Sequence, residues 1–426
     1  MRLVLLVSLL LFYTYTYAQP QGLRLEDYIY QEKIKTVLLY PALDDPETPT
    51  RLLTPPVTPL NNPAPLVLEF DDLSGQPEGY RAKIIHCNAD WTKSNLNDIE
   101  FTFEFNEYPI VTYDQSFSTK VPYTHYRFEL PKLKLPGNYV IYVYSDRDRK
   151  LIISRRFMHY QPRVSITAQA RFSQGIQQQF SDQQIDFSVN YKGYQLNAPQ
   201  SDLKVVMRKN FRFDQSKTNF KPTNVRPFDQ ILEYTFFDLE NTFPGGNEFR
   251  YFDSRSLTGR GYGVNEIERS AEFTKLWLFP DKPRTDNAYI QMDDFNGQYI
   301  VDQRESGRGS VEADYTPVVF TLKTQEDPEA AFYVNGAFNL WQLNERNKMI
   351  YNADRQAYEC EMLVKQGVIN YAYTIVRGGQ KPDDAFIEGN YAATENDYDI
   401  LIYHRPPASR ADLLIGYRTV EWNRRR

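Results

Sequence analysis

Residues 80–87 read Tyr-Arg-Ala-Lys-Ile-Ile-His-Cys. Tyr80, Ala82 and Ile84 alternate with Arg81 and Lys83, the period-two pattern of a strand with one face on a core. The same short runs recur on both sides, separated by Pro, Gly, Asn and Asp. Upstream lies Leu66–Phe70; downstream come 101–105, 125–130, 138–144 and 151–158. After Pro162 a second series begins with RVSITAQA at Arg163 and continues through 184–191, 203–208, 231–237, 248–252, 273–279 and 288–292. A polar stretch at 302–314 precedes a third series at 317–322, 331–334, 357–363, 368–376 and 398–404. No window keeps apolar residues at helical spacing over three turns, so helices are expected to be few and short.

The pattern predicts an all-β chain of three consecutive β-sandwich domains, immunoglobulin-like or early-set-like. The expected divisions are a signal peptide at 1–18, a first domain at 19–160, a second at 161–310, a third at 311–404 and a basic tail at 405–426. The first domain has a Pro-rich lead-in at 41–65, with eight prolines from Pro41 to Pro65. Proline lacks the N–H that a helix interior or central strand needs, so this stretch is expected along a sheet edge or in a loop.

Composition narrows the function. Over 426 residues, 49 Lys and Arg stand against 55 Asp and Glu, a formal charge of -6 that offers no general attraction for nucleic acid. Aromatics make up 15% of the chain, mostly Tyr and Phe, which suits strands with one wet face. Arg2, the apolar run 3–12 and the small-residue site before Gln19 have the form of a secretory signal. That run is too short to span a bilayer and no second one follows, so a soluble exported protein is expected.

Chemistry has few candidates. The four histidines, His86, His125, His159 and His404, are scattered, and Cys87 and Cys360 form no C-x-x-C, so no metal, cofactor or catalytic residue is assigned. Two buried thiols in separate domains are favoured over a long-range disulfide. The doublets Asp44-Asp45, Asp71-Asp72, Asp293-Asp294 and Asp383-Asp384 read as solvated turn acids, since strand neighbours face opposite ways. Asn296-Gly297 reads as a tight hairpin between two strands, Asp294–Gly297 lacks the remaining ligands of a calcium loop, and Gly259–Gly263 lacks the helix of a phosphate cradle.

Two stretches carry resemblances. Residues 332–341 (FYVNGAFNLW) resemble the early-set sandwiches of glycogen-binding modules, whose exposed aromatics stack on sugars. That implies a sugar-binding alternative for the third domain, against Phe338 and Trp341 serving only the sandwich core. The second is the block His86-Cys87-Asn88-Ala89-Asp90-Trp91, taken with 66–73 (LVLEFDDL), 123–127, 245–253, 293–297 and the stretch 388–398. In order across nearly the whole mature chain, these resemble the plug protein family of the bacterial type IX secretion system. The resemblance implies a non-enzymatic periplasmic protein, peripheral to the outer membrane, that closes the inner opening of a large translocon barrel.

Partner-contact candidates are Trp91, a large anchor at a strand end, and the arginines Arg405, Arg410, Arg418, Arg424, Arg425 and Arg426. Against Asp412 and Glu421 these six arginines leave the tail at 6 minus 2, or +4. It reads either as a docking element for acidic loops or lipid phosphates, or as a solvated end.

Overall fold

Tyr80, Ala82 and Ile84 do face one core, where they meet Tyr139, Ile141 and Val143 of the neighbouring strand. The computed structural model describes residues 20–42, 52–62, 64–305 and 307–424. The expected signal peptide, Arg425 and Arg426, and part of the Pro-rich lead-in lie outside them. The chain is mostly β, in several largely antiparallel sheets. The helices are single turns, as the absent helical periodicity implied.

Two sheets enclose the first core. One runs Tyr28–Ile29, Leu151–Tyr160, Gly137–Ser145, Tyr80–Cys87, Tyr108–Ile110; the other runs Ile34–Pro41, Leu66–Asp72, Thr124–Glu129, Thr112–Gln115. On Gly137–Ser145 the alternate residues Val140, Tyr142 and Tyr144 form an outer apolar face, which Leu23, Leu25 and Trp91 cover. The Pro-rich lead-in supplies Val57–Pro59 as a parallel edge beside Met158–Tyr160, the placement that missing N–H donors allow.

Three local readings differ, one of them being 288–292, which forms no strand. Ile34–Pro41 is a buried strand that escaped the alternation test because a bulge between Lys35 and Leu38, with Thr36 at φ 49°, breaks the period. Residues 101–105 are not a strand. Asp98–Phe101 makes a helical turn whose capping box has the Glu100 carboxylate accepting from the Asn97 N–H at 2.7 Å.

The larger difference concerns connectivity. A second unit pairs the sheet Ser165–Phe172, Asp182–Asn190, Ile231–Tyr234, Asn224–Arg226 with the sheet Ser216–Thr218, Leu203–Lys209, Asn396–His404, Leu413–Trp422. Its core joins Val205, Met207, Phe187 and Tyr234 to Tyr398, Ile400, Ile402 and Ile415. The third unit, from Arg250–Asp253 to Gly367–Arg377, is therefore inserted inside the second. Residues 396–404, expected in the third domain, hydrogen-bond in register with Leu203–Lys209, and the expected tail contains the strand Leu413–Trp422. Antiparallel pairing requires only adjacency in space, and no local pattern announces a partner two hundred residues away.

Candidate functional site: the junction of the three units

The HCNADW block ends the strand Tyr80–Cys87 and then turns, with Trp91 at φ 64°. That turn is the seam with the second unit. The Asn88 side-chain oxygen accepts from Arg405 at 2.8 Å, and its backbone oxygen accepts from the Asn138 amide at 3.0 Å. Asn138 in turn accepts from the Tyr403 hydroxyl at 2.7 Å. Asp412, closed to solvent, accepts from the Ala89 N–H at 3.1 Å, from Lys204 at 2.9 Å and from Arg405 at 2.9 Å. Burial pushes its carboxyl up, but these donors outweigh it and hold it below the ordinary range. Val57, Ala89 and Met158 pack on Leu401, Tyr403 and Leu414 to complete the seam.

A different charge network joins the first and third units. Asp71 accepts from Lys365 Nζ at 2.6 Å and from the Tyr315 hydroxyl at 2.6 Å, and its other oxygen is 2.7 Å from His125 Nδ1. Lys365 also donates to the Ser310 carbonyl at 2.7 Å and lies over the Tyr123 ring at 4.1 Å. Burial pushes the Asp71 carboxyl up, yet Lys365 and His125 hold it below the usual carboxylate range. Burial also drives the Lys365 ammonium down, and Asp71 only partly restores it.

Asp72 points the opposite way on the same strand, accepting from Lys33 at 3.1 Å and from the Tyr80 hydroxyl at 2.5 Å. The doublet is thus split across two faces as expected, but neither acid is a solvated turn residue: both are buried. Asp294 departs likewise. It accepts from the backbone N–H groups of Asn296, at 2.6 Å, and Phe249, and burial raises it to about 7. Asn296-Gly297 forms a tight turn, at φ 51° and 81°, but not the expected hairpin, since only the strand Tyr299–Val301 flanks it, and Gly297 fits where a Cβ would strike the Trp341 ring at 2.4 Å.

Where the three units meet, they leave a cavity of about 670 Å³. Its walls include Arg156 and Val37 from the first unit, Phe213 and Arg212 from the second, and Trp341 and Tyr299 from the third. Arg156 lies over both the Trp91 ring, at 4.5 Å, and the Phe213 ring, at 4.7 Å; Arg212 covers Trp341 at 3.7 Å. Trp91, Phe211, Leu340 and Trp341 all take left-handed backbone angles there. Such angles cost bulky residues about 1 kcal/mol or more each and persist only where surrounding packing imposes them.

The expected contact residues therefore part company. Trp91 is a joint within the molecule, its ring 5.1 Å from Phe213. Arg405 binds Asp412 and Asn88, Arg410 pairs with Glu100 across the first seam, and Arg424 pairs with Glu395, Glu421 and Asp397. Arg418 is exposed on Leu413–Trp422. The residues that sequence reasoning missed are Arg156, Arg212, Phe213 and Lys365, while Asp71 was read as a solvated turn acid; the Phe211-Arg212-Phe213 alternation was the one local hint. Trp341, the sugar platform of the alternative reading, has its face occupied by Arg212, and the adjacent Gln342 donates to the Asp27 carbonyl at 2.8 Å.

Cys87 and Cys360 are both free and buried. Among the described residues no group of His, Cys, Asp and Glu has the arrangement of a metal site, and no helix is long and apolar enough to cross a membrane.

Residues 34–161 match the family model described as the type 9 secretion system plug protein 1st domain. A crystal structure of a hypothetical protein from Parabacteroides merdae aligns over 94% of this chain and 100% of that one, at 31% identity and a TM-score of 0.87. No curated protein matches.

Proposed function

The chain belongs to the type 9 secretion system plug protein family, and from that premise we propose that it is a non-enzymatic periplasmic plug, closing the periplasmic opening of the outer-membrane translocon barrel. In this reading its three units are sandwiches of the immunoglobulin-like or early-set type, used for area and stiffness.

The observation that carries the proposal beyond family membership is the way the units are joined. A stopper for a pore wide enough to pass folded cargo has to resist deformation. Here a buried ion pair ties the first unit to the third, a buried carboxylate ties the first to the second, and the third is anchored in the second at both ends. Separate domains on flexible linkers would lack such seams. Release from the barrel would leave this block intact, which calls for a polar-rimmed, separable interface on its outside.

The test is purification of the tagged protein from solubilised outer membranes, together with a permeability assay in cells that lack it. Recovery of the barrel protein, and entry of a large polar dye that the restored gene prevents, are the expected results. An intact permeability barrier without the protein, and no barrel in the purified material, would overturn the reading.

A further inference from the structure

The described residues include sixteen large apolar side chains that are strongly exposed, and six of them fall within one short segment: Ile99, Phe103, Phe105, Val111, Tyr113 and Phe117. Isolated exposed apolar residues are ordinary, but a concentration of this kind marks an interaction surface. The same segment ends both sheets of the first unit, because Tyr108–Ile110 and Thr112–Gln115 are the terminal strands of the two.

These two edges differ. Pro109 blunts the first, whereas Thr112–Gln115 is exposed at every position and pairs on one side only, with Thr124–Arg127. Tyr113 stands opposite Tyr126, with ring centroids 5.7 Å apart, so its side of the strand is the core side. Val111 joins the two terminal strands, and Phe117 lies two residues beyond the second, its N–H donating to the Val311 carbonyl at 2.9 Å. Exposed apolar side chains therefore flank an open sheet edge.

Charge says what fits there. Residues 97–117 contain Asp98, Glu100, Glu104, Glu107 and Asp114 and no Lys or Arg of their own, although Lys134 from outside the segment stacks over the exposed Phe103 ring at 5.3 Å. Arg410 neutralises Glu100 and Arg149 neutralises Glu107, while Glu104 and Asp114 are exposed. An anionic lipid surface would be repelled. A second copy docked on the same patch would set acids against acids, since an isologous interface meets itself.

We propose that this flank docks an extended segment of the translocon barrel protein, one in which Lys or Arg alternate with apolar residues, added as a strand to Thr112–Gln115. The inference rests on the plug reading above. Added strands gain affinity from main-chain hydrogen bonds and selectivity from alternate side chains. Apolar residues of the incoming segment would meet Tyr113 and Val111 while its basic residues meet Asp114 and Glu104.

The test places the photo-crosslinker p-benzoylphenylalanine singly at positions 103, 105 and 113 of the full mature chain, with 228 and 237 on the second unit as references, in cells carrying the translocon. The expected result is adducts to the barrel protein from the first group at least tenfold above the references. A Glu104→Lys and Asp114→Lys double variant should lower barrel recovery at least tenfold with an unchanged melting temperature. Barrel adducts from the references without an excess at 103, 105 or 113 would overturn this surface and leave the plug reading standing. Barrel adducts from no position would overturn both. Adducts to lipid or to a second copy in place of the barrel, or a double variant that retains full recovery, would overturn the proposed occupant.

Discussion

The Lys365 ammonium stands 2.6 Å from the Asp71 carboxylate with both side chains shut from water, although 294 residues separate them and they belong to different units. Removing one partner leaves the other charge buried. Lys365→Met is therefore expected to destabilise the protein by about 3–5 kcal/mol, with Asp71→Leu in the Lys365→Met background recovering much of that loss. Urea unfolding of the single and double variants measures both. Equal losses in the two would show that the charges do not act as a pair.

Strand Leu413–Trp422 brings Leu414 and Ile415 into buried clusters. A chain ending at Ala408 would lose both side chains and uncover Asn396–His404 as a new edge. At about 2–5 kcal/mol for each large apolar side chain lost, that is comparable to the stability of a whole domain. Size exclusion and far-ultraviolet circular dichroism should find no native monomer. Arg418→Ala, at an exposed position, should instead stay within about 0.5 kcal/mol of the parent.

Two buried groups give opposite pH dependence. Burial pushes His86 down from 6.5 to about 4, so its contribution is complete above pH 6.5 and is lost as pH falls through 4. Burial raises Asp294 from 3.8 to about 7, so its contribution is present at low pH and is lost as pH rises through 7. Between pH 6.5 and 4.5 His86→Gln should lose less stability than the parent. Between pH 4 and 7 Asp294→Asn should flatten the parent's decline. Melting temperatures across the range read both slopes, and parallel curves for parent and variants would contradict these assignments.

Burial also raises the thiols of Cys87 and Cys360 to about 12, and neither is bonded to the other. Two thiols should react with a disulfide reagent on unfolding and almost none in the native protein. A reductant should leave the melting temperature unchanged. A reductant-dependent shift would mean that a bridge forms after all.

Local physics made part of this molecule legible. Alternation from Tyr80 to Ile84 is enough to assign a strand, because side chains on a pleat point to opposite sides whatever lies beyond, and the unbroken apolar run from Tyr139 to Tyr144 suits a strand covered on both faces. Asn296-Gly297 is legible as a turn for the same kind of reason, since few residues accept positive φ. Thr36 defeats that logic, because a bulge shifts the period by one residue and hides the strand Ile34–Pro41.

By itself the amino-acid sequence determined the all-β class, the scarcity of groups able to do chemistry, and the family to which the HCNADW block points. Tertiary structure alone decided that Trp91 and Arg405 are joints inside the molecule, that Asp71 and Lys365 are partners, and that the third unit interrupts the second. The physical reason is range. Strand propensity and turn geometry act over a few residues, whereas ion pairing and sheet registry act through space between segments that the chain has brought together from hundreds of residues apart.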